Sequence, residues 1–233
     1  MRAAEGQECC TTDRLDPVGR FGRGRRAPAE RGLRAVHQAV LRHFAAEGAA
    51  PDSTALDPIA AVAGRTAADV LAELDREDLL TLDAAGWIRA AYPFSAVGTR
   101  HRVSLASGAQ VWSMCAVDAL GISAMLGGQD VRISSCDPVN DQPVTITFTG
   151  GSAQWEPMDA VVFIGRREAD GSAAAVCCDA LNFFITPHPA FVAAPNRAPL
   201  RARPRQARPP SVRRLPGCVG RGRAGQGGPR PRP

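Results

Sequence analysis

Apolar positions recur at helical spacing in the first third of the chain, alternate or cluster like strands in the middle, and fade out at both ends. In residues 30–47, Leu33, Val36, Val40 and Phe44 fall three and four apart, which puts them on one face of a helix. A shorter helix is expected around 56–63, stopped by Gly64. Thr66 reads as the cap of a third helix carrying Val70, Leu71 and Leu74, with Asp69 three residues on, so that a hydroxyl and a carboxylate can share the first unpaired N–H groups. Leu79-Leu80-Thr81-Leu82 and Trp87-Ile88-Arg89, joined by a turn at Asp83-Ala-Ala-Gly86, read as two strands. Three helices and a hairpin predict a winged-helix-like domain over residues 29–92.

Residues 93–194 carry a different pattern. His101-Arg-Val-Ser-Leu105 and the turn at Ser107-Gly108 predict a strand leading into a helix at about 110–126. Val131-Arg-Ile-Ser and Val144-Thr-Ile-Thr-Phe148 alternate like half-buried strands, and Asp159-Ala-Val-Val-Phe-Ile-Gly165 reads as a buried one. Leu181-Asn-Phe-Phe-Ile-Thr186 is a further strand candidate. The fold class is therefore α+β: a winged-helix-like helical module followed by a mixed α/β domain. Residues 1–28 and the Arg/Pro/Gly-rich residues 195–233 have no apolar periodicity to offset the entropy of ordering them, and both are predicted to be disordered.

A length of 233 residues suits one or two domains and suffices for a sizeable core. Charge changes the picture more. Residues 195–233 hold eleven arginines and no acid, so this tail exceeds the whole formal charge of +5 and leaves residues 1–194 at −6. A basic tail can adhere to nucleic acid by counterion release. Sequence-specific reading of DNA is argued against, because the third helix and its flank carry Asp69, Glu73, Asp75, Glu77, Asp78 and Asp83 against Arg76 alone. No run approaches the ~20 apolar residues of a bilayer span, and the N-terminus lacks the apolar core of a secretory signal. The chain reads as cytoplasmic, where thiols stay reduced. Its seven cysteines are odd in number and their spacings suggest no disulfide framework.

The candidate chemistry lies with those thiols. Cys115 and Asp118 sit three apart in Trp112-Ser-Met-Cys-Ala-Val-Asp-Ala-Leu120, with Cys136 and the pair Cys177-Cys178 following in the same region. Thiolates are soft ligands and select soft ions. A carboxyl group among Met114, Val117, Leu120 and Met125 is discouraged from ionising, which keeps a proton available. The plainer alternative is that each cysteine is a small buried hydrophobe and Asp118 a surface residue. Cys9-Cys10 lie in a polar context without ligand partners. Zinc is disfavoured because no Cys-x2-Cys pair occurs, and Cys177-Cys178 is not a Cys-x-x-Cys redox motif.

Taken together, Gln110-Val-Trp-Ser-Met-Cys-Ala-Val-Asp-Ala-Leu120, Val131-Arg-Ile-Ser-Ser-Cys136 and Val176-Cys-Cys-Asp-Ala-Leu-Asn-Phe-Phe184 resemble the organomercurial (alkylmercury) lyase family, over about residues 30–190. The resemblance implies cleavage of a carbon–mercury bond to a hydrocarbon and Hg(II). It implies Cys115, Asp118 and Cys177 as catalytic residues that also hold the product Hg(II), Cys178 as an accessory neighbour, and Cys136 as structural. Neither an organic cofactor nor a resident metal is required. The partners implied are the organomercurial, small-molecule thiols and a mercuric reductase that receives the ion. A non-catalytic mercury binder or metal-responsive regulator using the same thiols is the alternative. The resemblance stops near Asn196, where the basic tail replaces further folded sequence, and weaker folding than in a full-length member is expected.

Overall fold

A computed structural model describes residues 27–163, 174, 178 and 181–186, with the backbone of 200–201. Helix α1 (Leu33–Glu47) buries Leu33, Val36, Val40 and Phe44, the stripe expected from their spacing. It ends at Gly48, whose φ of +76° suits glycine, and a Cβ there would collide with the backbone carbonyl of Gln110. That close approach locks the end of α1 onto the sheet. Helix α2 (Asp57–Ala61) follows a short turn of tighter helix over Ser53–Leu56, which Asp52 caps by accepting the Thr54 N–H at 2.9 Å. Helix α3 (Ala67–Arg76) starts as expected: Thr66 Oγ1 accepts the Asp69 N–H at 3.1 Å and donates to Asp69 Oδ2 at 2.7 Å. Glu73 on α3 is buried, and its charge is answered by Arg65 at 2.7 Å and by Arg31.

Strands β1 (Leu80–Leu82) and β2 (Ile88–Ala91) form the hairpin. They open an eight-stranded antiparallel sheet that continues through β3 (Phe94–Ser95), β5 (Gln110–Ser113), β4 (His101–Leu105), β6 (Val131–Cys136), β7 (Pro143–Thr149) and β8 (Ser152–Glu156), in that spatial order. Helix α4 (Ala116–Met125) packs on β4, β5 and β6. A small second sheet places β9 (Val161–Phe163) between β10 (Asn182–Phe184) and β11 (Leu200–Arg201). The helical layer and the large sheet share one apolar core running from Leu33 to Phe183. Phe44 of α1 stacks on Phe94 of β3 with ring centroids 5.5 Å apart, and both are fully buried. Burying each such ring contributes roughly 1.5–3 kcal/mol.

The structure corrects one boundary that matters for the site. Residues 110–113 are strand, not the first turn of a helix at 110–126, because β5 is claimed on both edges by β3 and β4. Cys115 therefore stands at the junction of strand and helix. β8 was not expected either; its residues are mostly exposed and lack apolar alternation, as an edge strand can. Of the segments predicted to be disordered, 1–28 and 195–233, residues 1–26 and nearly all of 195–233 lie outside the described residues, whereas Ala27 is buried and its carbonyl accepts from Arg34 Nε at 2.9 Å. Among the described residues no helix is long and apolar enough to cross a membrane.

Candidate active site

Cys115 owes its position to backbone geometry. β5 ends at Ser113, the Met114 N–H donates to the Pro93 carbonyl at 3.0 Å, and α4 begins at Ala116. The intervening Cys115 is extended and is the N-cap of α4: its Sγ accepts the Asp118 N–H at 3.3 Å, where an oxygen would usually do so. Ser113 Oγ donates to the Cys115 carbonyl at 3.1 Å and fixes the peptide from below. Asp118, in the first turn, turns its carboxylate back over the cap, and the Cys115 thiol donates to Oδ2 at 3.1 Å.

The third member arrives from far along the chain. Cys178 is buried and its thiol faces the same Oδ2 at 3.8 Å. Two bonds explain why it comes there. The Leu181 N–H donates to the Cys178 carbonyl at 3.2 Å, closing a tight turn, and the Leu181 carbonyl accepts the Ala116 N–H at 3.0 Å, an otherwise unpaired donor of α4. Strand β10 then anchors the segment: Phe183 is fully buried and meets His101 and Trp155 edge-on, and the Ile185 N–H donates to buried Asp137 at 3.0 Å.

The ligand atoms of Cys115, Asp118 and Cys178 all lie within 4.8 Å of one another. One soft ion bridges two sulfurs no farther apart than two metal–sulfur bonds, ~4.6 Å with the ~2.3 Å bond of zinc and somewhat more for a larger ion. The separation thus suits a single soft ion held by both. A helix N-terminus favours an anionic sulfur, but burial wins here. Burial first, then the hydrogen bond with Cys178 and the nearby Asp118 carboxylate, push the Cys115 thiol well above its ordinary value of 9.0; the Asp118 N–H opposes them. In the absence of a bound ion the thiol keeps its proton, already hydrogen-bonded to the carboxylate that can take it.

Tyr92, Cys115, Cys178 and Leu181 form a small buried cluster apart from the main core, with Met114, Val117 and Ala174 packed on it. Of the residues singled out from the sequence, the structure brings together Cys115, Asp118 and Cys178. Cys177 lies outside the described residues. Cys136, at the end of β6, is buried and disulfide-bonded, although the spacings suggest no disulfide framework. Tyr92 and Leu181 escape a reading of the sequence. The only signal either gives is that Tyr92 is the single tyrosine of the chain.

A buried polar pair links β4 and β6. His101 Nδ1 is 2.9 Å from Ser135 Oγ, and Asn182 of β10 also bonds the ring. Burial first, then the charge of Arg100, lower the His101 pKa to about 3 from 6.5, and burial lowers that of His37 in the same direction. A depressed histidine leaves the unfolded state binding the extra proton. Its stabilisation is therefore complete above pH 6.5 and is lost as pH falls toward the folded value. Stability should drop on acidification from pH 6.5 toward 4 by up to about 1.4 kcal/mol per pH unit for each such histidine. In His101→Gln the slope of urea-unfolding free energy against pH should fall by one proton; an unchanged slope would remove His101 from the account.

The family model for alkylmercury lyase matches residues 94–191. No curated protein matches the chain. Among solved structures, the crystal structure of the mercury-bound form of MerB2 is similar in fold, with a TM-score of 0.55 and 19% identity over 69% of this chain and 76% of that one. The matched span contains Cys115, Asp118 and Cys178 together with every strand from β3 to β10. The stretch 94–191 thus matches the alkylmercury lyase family, the family that the sequence resembles.

Proposed function

We propose that the protein cleaves the carbon–mercury bond of organomercurials by protonolysis, releasing a hydrocarbon and retaining Hg(II). The observation that carries this reading is the buried cluster of two thiols around one carboxylate, at Cys115, Asp118 and Cys178. In solution the substrate is an organomercury thiolate, R–Hg–SR′. Cys115 displaces R′S as its proton passes to Asp118, and the Cys178 sulfur then adds to mercury. Two sulfur donors raise electron density at mercury and weaken its bond to carbon. Asp118 delivers its proton to that carbon, and R–H departs.

The balance is simple. One thiol proton ends on carbon by way of Asp118, the other ends on the leaving R′SH, and mercury stays Hg(II) throughout. Under this reading Cys178 takes the part of second thiol for which the resemblance suggested Cys177. Positioned general-acid catalysis of this kind is typically worth about 10²–10⁴-fold. The test is turnover of phenylmercury with excess small thiol, following benzene release. Benzene in step with Hg(II) formation supports the lyase. Stoichiometric mercury uptake without benzene, by folded protein, would replace it with the mercury-binding alternative.

A further inference from the structure

Tyr92 follows β2 and lies at the seam between the N-terminal helices and the catalytic region. Its ring is buried in the cluster that contains Cys115, Cys178 and Leu181. Its hydroxyl is held from two sides. It donates to Asp78 Oδ1 at 3.0 Å, in the turn between α3 and β1, and accepts the Ala174 N–H at 3.0 Å. A phenol tied at its far end to one half-buried donor and one half-buried acceptor gives up two hydrogen bonds if it swings aside.

Resting on the lyase reading above, we infer that Tyr92 is the specificity-determining wall of the site, limiting the size of the organic group carried by mercury. Mercury between the two sulfurs leaves its organic group one constraint: the bonded carbon must lie within proton-transfer reach of Asp118, about 2.6–3.2 Å. The surfaces flanking that position are apolar, from Tyr92, Met114, Val117 and Leu181. Met114 can change shape to suit a guest; the Tyr92 ring, held at its hydroxyl, cannot. The accepted substrates are then organomercurials with small alkyl groups, and a flat aryl group must be fitted against the Tyr92 face.

The experiment compares kcat/KM for phenylmercury and methylmercury, both supplied as thiolate complexes, in the full chain and in Tyr92→Ala, Tyr92→Leu and Tyr92→Phe. In a hydrophobic pocket one methylene is worth about 10–200-fold in discrimination, so Tyr92→Ala should raise the phenyl-to-methyl ratio at least tenfold, chiefly through a lower KM for phenylmercury. Tyr92→Leu, which keeps an apolar side chain should alanine prevent folding, should shift the ratio the same way by less. Tyr92→Phe, which releases the ring by removing the hydroxyl held by Asp78 and Ala174, should shift the ratio the same way by less than Tyr92→Ala. Should the wild type bind mercury and release no hydrocarbon, the lyase reading fails, and the Tyr92 assignment is read instead from competition of phenylmercury with methylmercury for the thiols, where the same shift is expected. A ratio unchanged in Tyr92→Ala and Tyr92→Leu, by turnover or by competition, overturns the assignment.

Discussion

Asp118→Asn should bind an organomercurial and fail to release its hydrocarbon. The substitution keeps the size of the side chain and the backbone N–H that caps Cys115, so α4 and the thiol positions should survive. It removes the carboxylate that the Cys115 thiol meets at 3.1 Å, and with it the group that the proposed reaction uses to protonate carbon. The expected loss in the rate of benzene release from phenylmercury is about 10²–10⁴-fold, the usual worth of a positioned general acid. Uptake of phenylmercury should persist through the two sulfurs, and the bound species should keep its carbon–mercury bond, which a mass measurement on the intact complex reads directly. Release at close to the wild-type rate would show that the proton reaches carbon from elsewhere, and the central role given to Asp118 would fall.

The reason for expecting so clean a separation of binding from turnover lies in the burial of the site. Cys115 is 1% exposed, and its thiol is raised rather than lowered by its surroundings. A raised thiol is a poor nucleophile toward most electrophiles, since the thiolate is the reactive form. A soft ion changes the balance, because coordination itself expels the proton. In the proposed reaction the site is thus quiet until mercury arrives, and the expelled proton passes to the carboxylate that gives it to carbon. A cysteine activated for general reactivity would show the opposite arrangement, with positive charge beside it. Burial, Cys178 and the Asp118 carboxylate all act on the Cys115 thiol in the direction that keeps its proton.

Much of this was legible in the sequence because much of it is local. The buried face of α1 follows from the spacing of Leu33, Val36, Val40 and Phe44, and the start of α3 follows from Thr66 and Asp69. The strands at 101–105, 131–136 and 143–149 follow from alternation of apolar residues. What failed was non-local. Val111 and Cys115 fit an apolar helical stripe with Ala119 and Ile122, and only pairing with β3 and β4 makes residues 110–113 a strand. The consequence is chemical as well as structural: Cys115 becomes a cap with its sulfur facing Asp118, instead of a mid-helix residue one turn away. Tyr92 was invisible for the same reason, since its partners Asp78 and Ala174 are 14 and 82 residues distant. The choice between two adjacent cysteines is the extreme case, because neighbouring side chains point in different directions and only tertiary placement distinguishes them.

That choice yields the sharpest test of the site. Cys178→Ser should abolish turnover on the order of Asp118→Asn, 10²–10⁴-fold, whereas Cys177→Ser should retain it. The argument rests on reach. The Cys178 sulfur is 3.8 Å from Asp118 Oδ2 and within 4.8 Å of the Cys115 sulfur, and its carbonyl is tied through Leu181 to the first N–H of α4. A hydroxyl in its place would be a hard donor, ill-suited to a soft ion. Cys178→Ser should therefore fail twice, in activating the carbon–mercury bond and in retaining Hg(II) against excess small thiol on dialysis. Assaying both variants for benzene release and for retained mercury separates the two failures. If Cys177→Ser loses both properties while Cys178→Ser keeps them, the second sulfur of the reaction is Cys177, and the cluster around Asp118 is a resting arrangement from which mercury must draw the neighbouring thiol inward.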